Sequence, residues 1–250
     1  MIVTGNTILI TGGASGIGRA LAEEFHKLGN TVVIAGRGQA ALDEVTAANP
    51  GMASIRLDIG DAAGIETFAA ELVERFPGLN AVINNAGIMV PEDVKAGGYL
   101  ATAEATIATN LLGPIRLTAA LLPHLLEQPR AAVLTVSSGL AFLPLAATPT
   151  YSATKAAIHS YSMSLRHQLA GTSVEVIEIA PPYVQTGLMG PHQHVDPAAM
   201  PLADFAAEVM AILTDQPDAA EVIVGRCAPL RFAAERGTFQ QMFDQWNRAH

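Results

Sequence analysis

Tyr151 and Lys155 stand four residues apart in the stretch YSATK, directly after the turn-forming TPT of residues 148–150, in a chain that holds only three lysines. If the stretch is helical, the two side chains lie one turn apart on the same face, because each residue rises about 1.5 Å. Two readings fit that spacing. One is an ordinary helix start with a solvated lysine; the other is a phenol whose ionised form is favoured by an adjacent ammonium. A free tyrosine ionises near pH 10, so proton transfer around neutrality requires its pKa to be drawn down by about three, or roughly 4 kcal/mol. An ammonium one turn away in a water-poor cleft acts in that direction.

A second chemical stretch lies near the N-terminus. In TGGASGIG, residues 11–18, Gly12, Gly16 and Gly18 follow an apolar strand pattern and open a helix pattern carried by Ile17, Leu21 and Phe25. Backbone amides at such a strand-to-helix turn can receive a pyrophosphate; a glycine-rich turn with no ligand is the alternative. The single cysteine, Cys227, allows neither an intramolecular disulfide nor a cysteine-based zinc site. His192 and His194 have a spacing seen in metal sites, but they sit on a Pro-rich stretch without a carboxylate cluster and read as a solvated loop. No metal is expected.

Elements able to position these groups alternate along the chain. TILIT (7–11), TVVIAG (31–36), MASIRLD (52–58), LNAVINN (79–85), AAVLTVSS (131–138), SVEVIEIA (173–180) and EVIVG (221–225) read as strands, mostly apolar on both faces. Helical periodicity fills the intervals, as in Ile65, Phe68, Ala69, Leu72 and Phe76. Unbroken βαβα alternation predicts a single α/β domain over residues 1–250: a doubly wound, parallel seven-stranded sheet with helices on both faces, the Rossmann architecture. Half the residues are hydrophobic, enough for a sizeable core, and the formal charge of −9 argues against nucleic acid or an anionic membrane as partner. MIVTGN lacks a basic segment followed by an apolar run, and no uninterrupted apolar stretch reaches the length of a membrane span, so a cytoplasmic protein is expected.

TGGASGIG, Asp58 after the third strand, NNAG at 84–87, Asn110, and Ser138 thirteen residues before Tyr151 occur in one order and register. Together they resemble the short-chain dehydrogenase/reductase family from about residue 6 to residue 186, and the stretch around YSATK is similar to its DltE-type subgroup. The resemblance implies an oxidoreductase with a cofactor-binding half over about 6–137, a catalytic and substrate-binding half over about 138–225, and a C-terminal helical tail over about 228–250. It assigns Tyr151 as general acid or base, Lys155 as its electrostatic partner and ribose ligand, Ser138 to the carbonyl oxygen, and Asn110 to a proton-passing water. Cofactor contacts carry over to Gly12, Ala14, Ser15, Gly16, Ile17, Gly18, Arg37, Asp58, Ile59, Asn85, Ala86, Gly87, Tyr151, Lys155, Pro181, Val184 and Thr186. The alternatives are a non-catalytic NADP(H)-binding redox sensor, which would need no such Ser/Tyr/Lys/Asn set, and a cell-envelope accessory protein, which only the subgroup resemblance suggests.

At the end of the second strand Gly36 occupies the position where an acidic residue would hold a ribose hydroxyl, and Arg37 follows, which points to NADP(H). Substrate contacts are expected from Ser138, Leu140, Phe142, Tyr151, Tyr183, Leu188 and Met189, with Leu143, Met89 and Val90 nearby. These side chains suit a hydrophobic ketone or aldehyde. Pro182 stands where the family usually has glycine, and residues 187–202 read as a substrate lid without clear periodicity. Small residues along the YSATK helix, together with a stripe of Phe239, Met242, Phe243 and Trp246, point to a homodimer or homotetramer; packing of the stripe on its own core is the other reading.

Overall fold

Strands that are apolar on both faces are stable only where helices cover both. The chain, described over residues 1–248 by a computed structural model, meets that condition. Seven strands, β1 (Thr7–Thr11), β2 (Thr31–Gly36), β3 (Ala53–Arg56), β4 (Leu79–Asn84), β5 (Ala131–Val136), β6 (Val174–Ala180) and β7 (Glu221–Ile223), form one parallel sheet. Their order is β3-β2-β1-β4-β5-β6-β7. The fold is a single-domain Rossmann fold. Winding reverses between β1 and β4, which opens a crevice at the carboxyl ends of the strands.

Alternation along each strand sends side chains to two cores. Ile8 and Ile10 of β1 join Leu21 and Phe25 of α1 (Gly16–Lys27), Leu42 of α2 (Gln39–Ala48) and Phe205 and Val209 of the later helix 202–215. Leu9 joins the opposite core, with Ile65 and Leu72 of α3 (Ala62–Arg75). There α5 (Gly113–Glu127), which follows α4 (Leu100–Ile107), supplies Leu117 and Leu121, and α6 (Pro149–Gln168) supplies Leu165.

Although the sequence has no uninterrupted apolar run of span length, α4 and α5 join through a π turn at Ala108–Leu112 into one long helix. By length and composition alone it could cross a membrane. Leu117, Leu121 and Leu125 are instead fully buried against the sheet. Gly113 is what allows the approach: a Cβ there would lie 2.6 Å from the carbonyl oxygen of Ile59.

After α7 (Leu202–Asp215) and β7 come a single turn, α8 (Ala228–Arg231), and the terminal α9 (Phe239–Arg248). The stripe of Phe239, Met242, Phe243 and Trp246 packs on Leu143, Leu230 and Ala233, so its apolar face is covered by its own chain.

Candidate active site

β1 ends at Thr11, and the chain turns through Gly12 and Gly16, whose φ values of 68° and 52° fall in the left-handed region open to glycine. Gly18 is required for another reason: a Cβ there would sit 2.3 Å from the carbonyl oxygen of Gly12 and 2.4 Å from Asn85 Nδ2. The end of β4 is clamped beside this turn. Thr11 Oγ1 accepts from the backbone amides of Asn85 (3.0 Å) and Ala86 (3.1 Å), while Asn85 Nδ2 donates to the Thr11 carbonyl at 2.8 Å. Ser15 caps α1 without a side-chain hydrogen bond, leaving the first-turn amides to whatever occupies the crevice.

Two adjoining hollows of about 470 and 340 Å³ share Gly12, Ser15, Ala86, Gly87 and Ile88. The outer one is lined by Ala14, Arg37, Asp58 and Ile59; the inner one by Gly16, Ile17, Ser138, Tyr151, Lys155, Pro181, Val184 and Thr186. An uncapped helix start, a glycine cradle that a Cβ would fill, and a basic residue at the far end fit a dinucleotide laid along the crevice.

At the inner end Ser138 is 9% exposed, Tyr151 6% and Lys155 4%. Pro149 opens α6, where its missing amide leaves no bond unmade, and the following turns place Tyr151 and Lys155 on one face. The Lys155 ammonium donates to the Val136 carbonyl at 2.8 Å and stands 5.5 Å from the centre of the Tyr151 ring. Burial pushes the Tyr151 phenol up to about 12, with a hydrogen bond to Ser138 opposing the rise. Burial also pulls Lys155 down to about 8, opposed by the negative charge of Glu178. The sequence predicts a phenol lowered by its lysine and by the oxidised nicotinamide; in the free chain burial raises it instead. Tyr151 is therefore held as a protonated donor.

Asn110, 1% exposed in the π turn, fastens the chain after NNAG: its Oδ1 accepts from Ile88 N and its Nδ2 donates to Ile88 O, both at 2.9 Å. Asn84, Asn110, Thr135 and Lys155 close on one another without space for a water between them, so the water expected at Asn110 has no site there in the free chain. Asn84 Nδ2 donates to Thr118 Oγ1, and its buried Oδ1 lacks a partner among the described residues.

The expected substrate wall is only partly assembled. Met89, Val90 and Leu188 line the inner hollow. Leu140 and Met189 pack with Met89, Leu145 and Tyr151 behind it. Phe142 is drawn off by His159, edge-to-face at 4.7 Å between centroids, and by the Arg231 guanidinium at 4.8 Å. Leu143 joins the core under α9, and Tyr183 turns its hydroxyl to Asp196 at 3.0 Å.

The segment with Pro182 is tied down by Gly139 N to Pro181 O (2.8 Å) and Met200 N to Tyr183 O (2.8 Å). Residues 191–194 form one 3₁₀ turn. Gln193, between the two histidines, is a cleft residue that sequence reasoning passes over: it is 4% exposed, donates to Val184 O at 2.7 Å and accepts from Met189 N at 2.8 Å. Only a polar residue inside an apolar, Pro-rich loop hints at it. His192 is exposed; His194 is exposed too but borders the inner hollow, beside Gly187.

Fold and crevice together define an NAD(P)-dependent oxidoreductase. The family profile for short chain dehydrogenases matches residues 6–196. The DltE oxidoreductase of Bacillus subtilis, itself uncharacterized, is 47% identical over 189 residues, 75% of each chain. A short-chain dehydrogenase from Streptomyces avermitilis superposes with a TM-score of 0.83 at 26% identity, covering 100% of this chain and 98% of its own. The closed form of a serine dehydrogenase complexed with NADP+ gives 0.76, also at 26% identity, over 83% and 88% of the two chains. The chain belongs to the short-chain dehydrogenase/reductase family and is an oxidoreductase of that type.

Proposed function

We propose that the enzyme reduces a hydrophobic ketone or aldehyde to an alcohol with NADPH. One observation carries this reading: Ser138, Tyr151 and Lys155 converge, nearly buried, at the inner end of a crevice whose middle is the glycine cradle. When bound, the nicotinamide supplies the hydride. Ser138 hydrogen-bonds the substrate carbonyl oxygen, and Tyr151, protonated beside it, gives that oxygen its proton. Lys155 stabilises the phenolate left behind and holds the ribose. A fresh proton reaches Tyr151 by way of Lys155.

Support for NADP(H) comes from the outer hollow. Gly36 presents no carboxylate, Arg37 is exposed at its rim, Ser15 is close by, and a serine dehydrogenase of similar fold is recorded with NADP+. Met89, Val90 and Leu188 support an apolar substrate. Exposed Leu100, Ile107, Leu112 and Met163, with small residues Ala153, Ser160 and Ser164 on α6, support pairing of two copies through α4–α6, as a homodimer or homotetramer. The enzyme would work in the cytoplasm, where reduced nicotinamide is regenerated.

The test is a panel of ketones with NADPH on wild type and Tyr151→Phe. Turnover by wild type and a loss of at least a hundredfold in the variant are expected. Retention of more than a tenth of wild-type kcat would remove Tyr151 from the reaction.

A further inference from the structure

We infer that Glu178, with His159 as its hydrogen-bond partner, is the counter-charge of Lys155, a positioning residue behind the reacting set that keeps the lysine an ammonium. The inference rests on the reading of Lys155 given above.

The row that carries Tyr151 and Lys155 along α6 continues for one more turn to His159. Beneath it runs β6, where Glu178 is fully buried. Strand register sets Glu178 opposite Thr135, one residue before the Ile179–Val136 pair, and it is the Val136 carbonyl that receives the Lys155 ammonium. His159 Nδ1 lies 2.7 Å from Glu178 Oε2, while Oε1 has no hydrogen-bond partner among the described residues.

A carboxylate removed from water costs several kcal/mol unless a cation compensates it. The charged and titratable groups around Glu178 narrow the choice. On β7, Glu221 stands directly opposite in register, a like charge that adds to the cost. Arg231 of α8 neutralises Glu221 through both oxygens, at 2.7 and 3.2 Å, and also binds Glu235. Cys227, just before α8, is a thiol that burial and the Glu178 charge push up to about 12. His159, Glu178 and Glu221 have the spacing of a cation site, but the Arg231 guanidinium already occupies the Glu221 side of it. From α6, Tyr151 is neutral, His159 bonds Oε2, and the Arg166 guanidinium is held by the Val176 and Ala220 carbonyls; Lys155 is the cation that belongs to the reacting set, and the Glu178 charge raises its pKa against the opposite pull of burial.

The consequence concerns pH. The Lys155 ammonium is present below about 8 and lost above it. Without the negative charge behind it, the loss comes at lower pH. With only three lysines, lysine labelled with ¹³C at Cε gives one NMR signal each for Lys27, Lys95 and Lys155, the first two exposed and serving as references.

Glu178→Gln is expected to move the Lys155 titration, and the alkaline limb of kcat, down by about one pH unit. At pH 8 turnover falls about fivefold relative to wild type, and at pH 6 the two converge. Glu178→Asp keeps the charge and restores the wild-type midpoint. If the Gln variant does not fold, Glu178→Met removes the same charge with an apolar side chain of similar length. A folded Gln or Met variant with an unmoved Lys155 signal overturns the inference while leaving the proton-donor reading intact. An active Tyr151→Phe enzyme would sink that reading without touching the titration.

Discussion

At the inner end of the crevice, Ser138, Tyr151 and Lys155 are nearly buried and their chemistry is bent by burial; at the outer end, Arg37 and Asp58 stand exposed on loops after β2 and β3. Water is scarce in one place and abundant in the other. Charges therefore interact strongly where the proton moves and weakly where the cofactor's far end would rest. The inner groups are suited to changing a barrier, the outer ones to choosing between ligands. Substitutions should separate along the same line, with inner changes appearing in kcat and outer ones in cofactor preference.

The largest expected effect is Tyr151→Phe. It removes one hydroxyl and keeps the ring against Leu140 and Met89, so kcat should fall by about 10²–10⁴ while NADPH affinity, read by fluorescence titration, stays within a few-fold. Equal losses in both would show that the two ends are not separable.

Arg37→Asp tests the outer end. A charge-assisted bond to phosphate contributes roughly 1.5–3 kcal/mol, or about ten- to a hundredfold, and a carboxylate there would both repel a 2′-phosphate and accept from a 2′-hydroxyl. The ratio of kcat/KM for NADPH over NADH should fall by at least that factor with one shared ketone. An unchanged ratio would make Arg37 a surface charge only.

These contrasts were unequally legible beforehand. The glycine turn, the seven strands and the Tyr151–Lys155 pair depend on local pattern: spacing, β-branched runs and helical period. What escaped depends on which neighbour arrives from elsewhere in the chain. Glu175 and Glu178 look alike within VEVIEIA, yet Glu175 is exposed and Glu178 fully buried, because α6 covers only one of them. Phe142 follows the serine in sequence as a pocket residue would, and is captured by His159 and Arg231 from distant elements. The downward direction of the Tyr151 pKa follows from its lysine and from the oxidised nicotinamide, and in the free protein desolvation, a property of the assembled cleft, raises it.

Between the two ends lies Gly18, and Gly18→Ala should disturb both. Its new Cβ would meet Gly12 and Asn85 at distances no relaxed structure tolerates. Overpacking of this kind costs about 1–3 kcal/mol, which urea unfolding should register, and cofactor affinity should weaken without a change in the NADPH/NADH ratio. A change in that ratio would mean that the outer end is shaped through the cradle rather than by Arg37.

The smallest effect concerns how far the inner end extends. Asn247, near the end of α9, accepts from Ala146 N and donates to Pro144 O, pinning the loop that leads into Tyr151. Two turns of chain separate that loop from the phenol, and Trp246 beside it packs against the cluster holding Met89, Leu140 and Tyr151. Asn247→Ala removes both bonds at a surface where water replaces part of what is lost, so about 1 kcal/mol of stability should go. Trp246, the only tryptophan, reports the local change by its emission. Should kcat stay within threefold while the urea midpoint drops, α9 is a brace outside the reacting end. A tenfold fall in kcat at unchanged KM would instead place the brace inside it, with the tyrosine's position depending on a helix more than ninety residues along the chain.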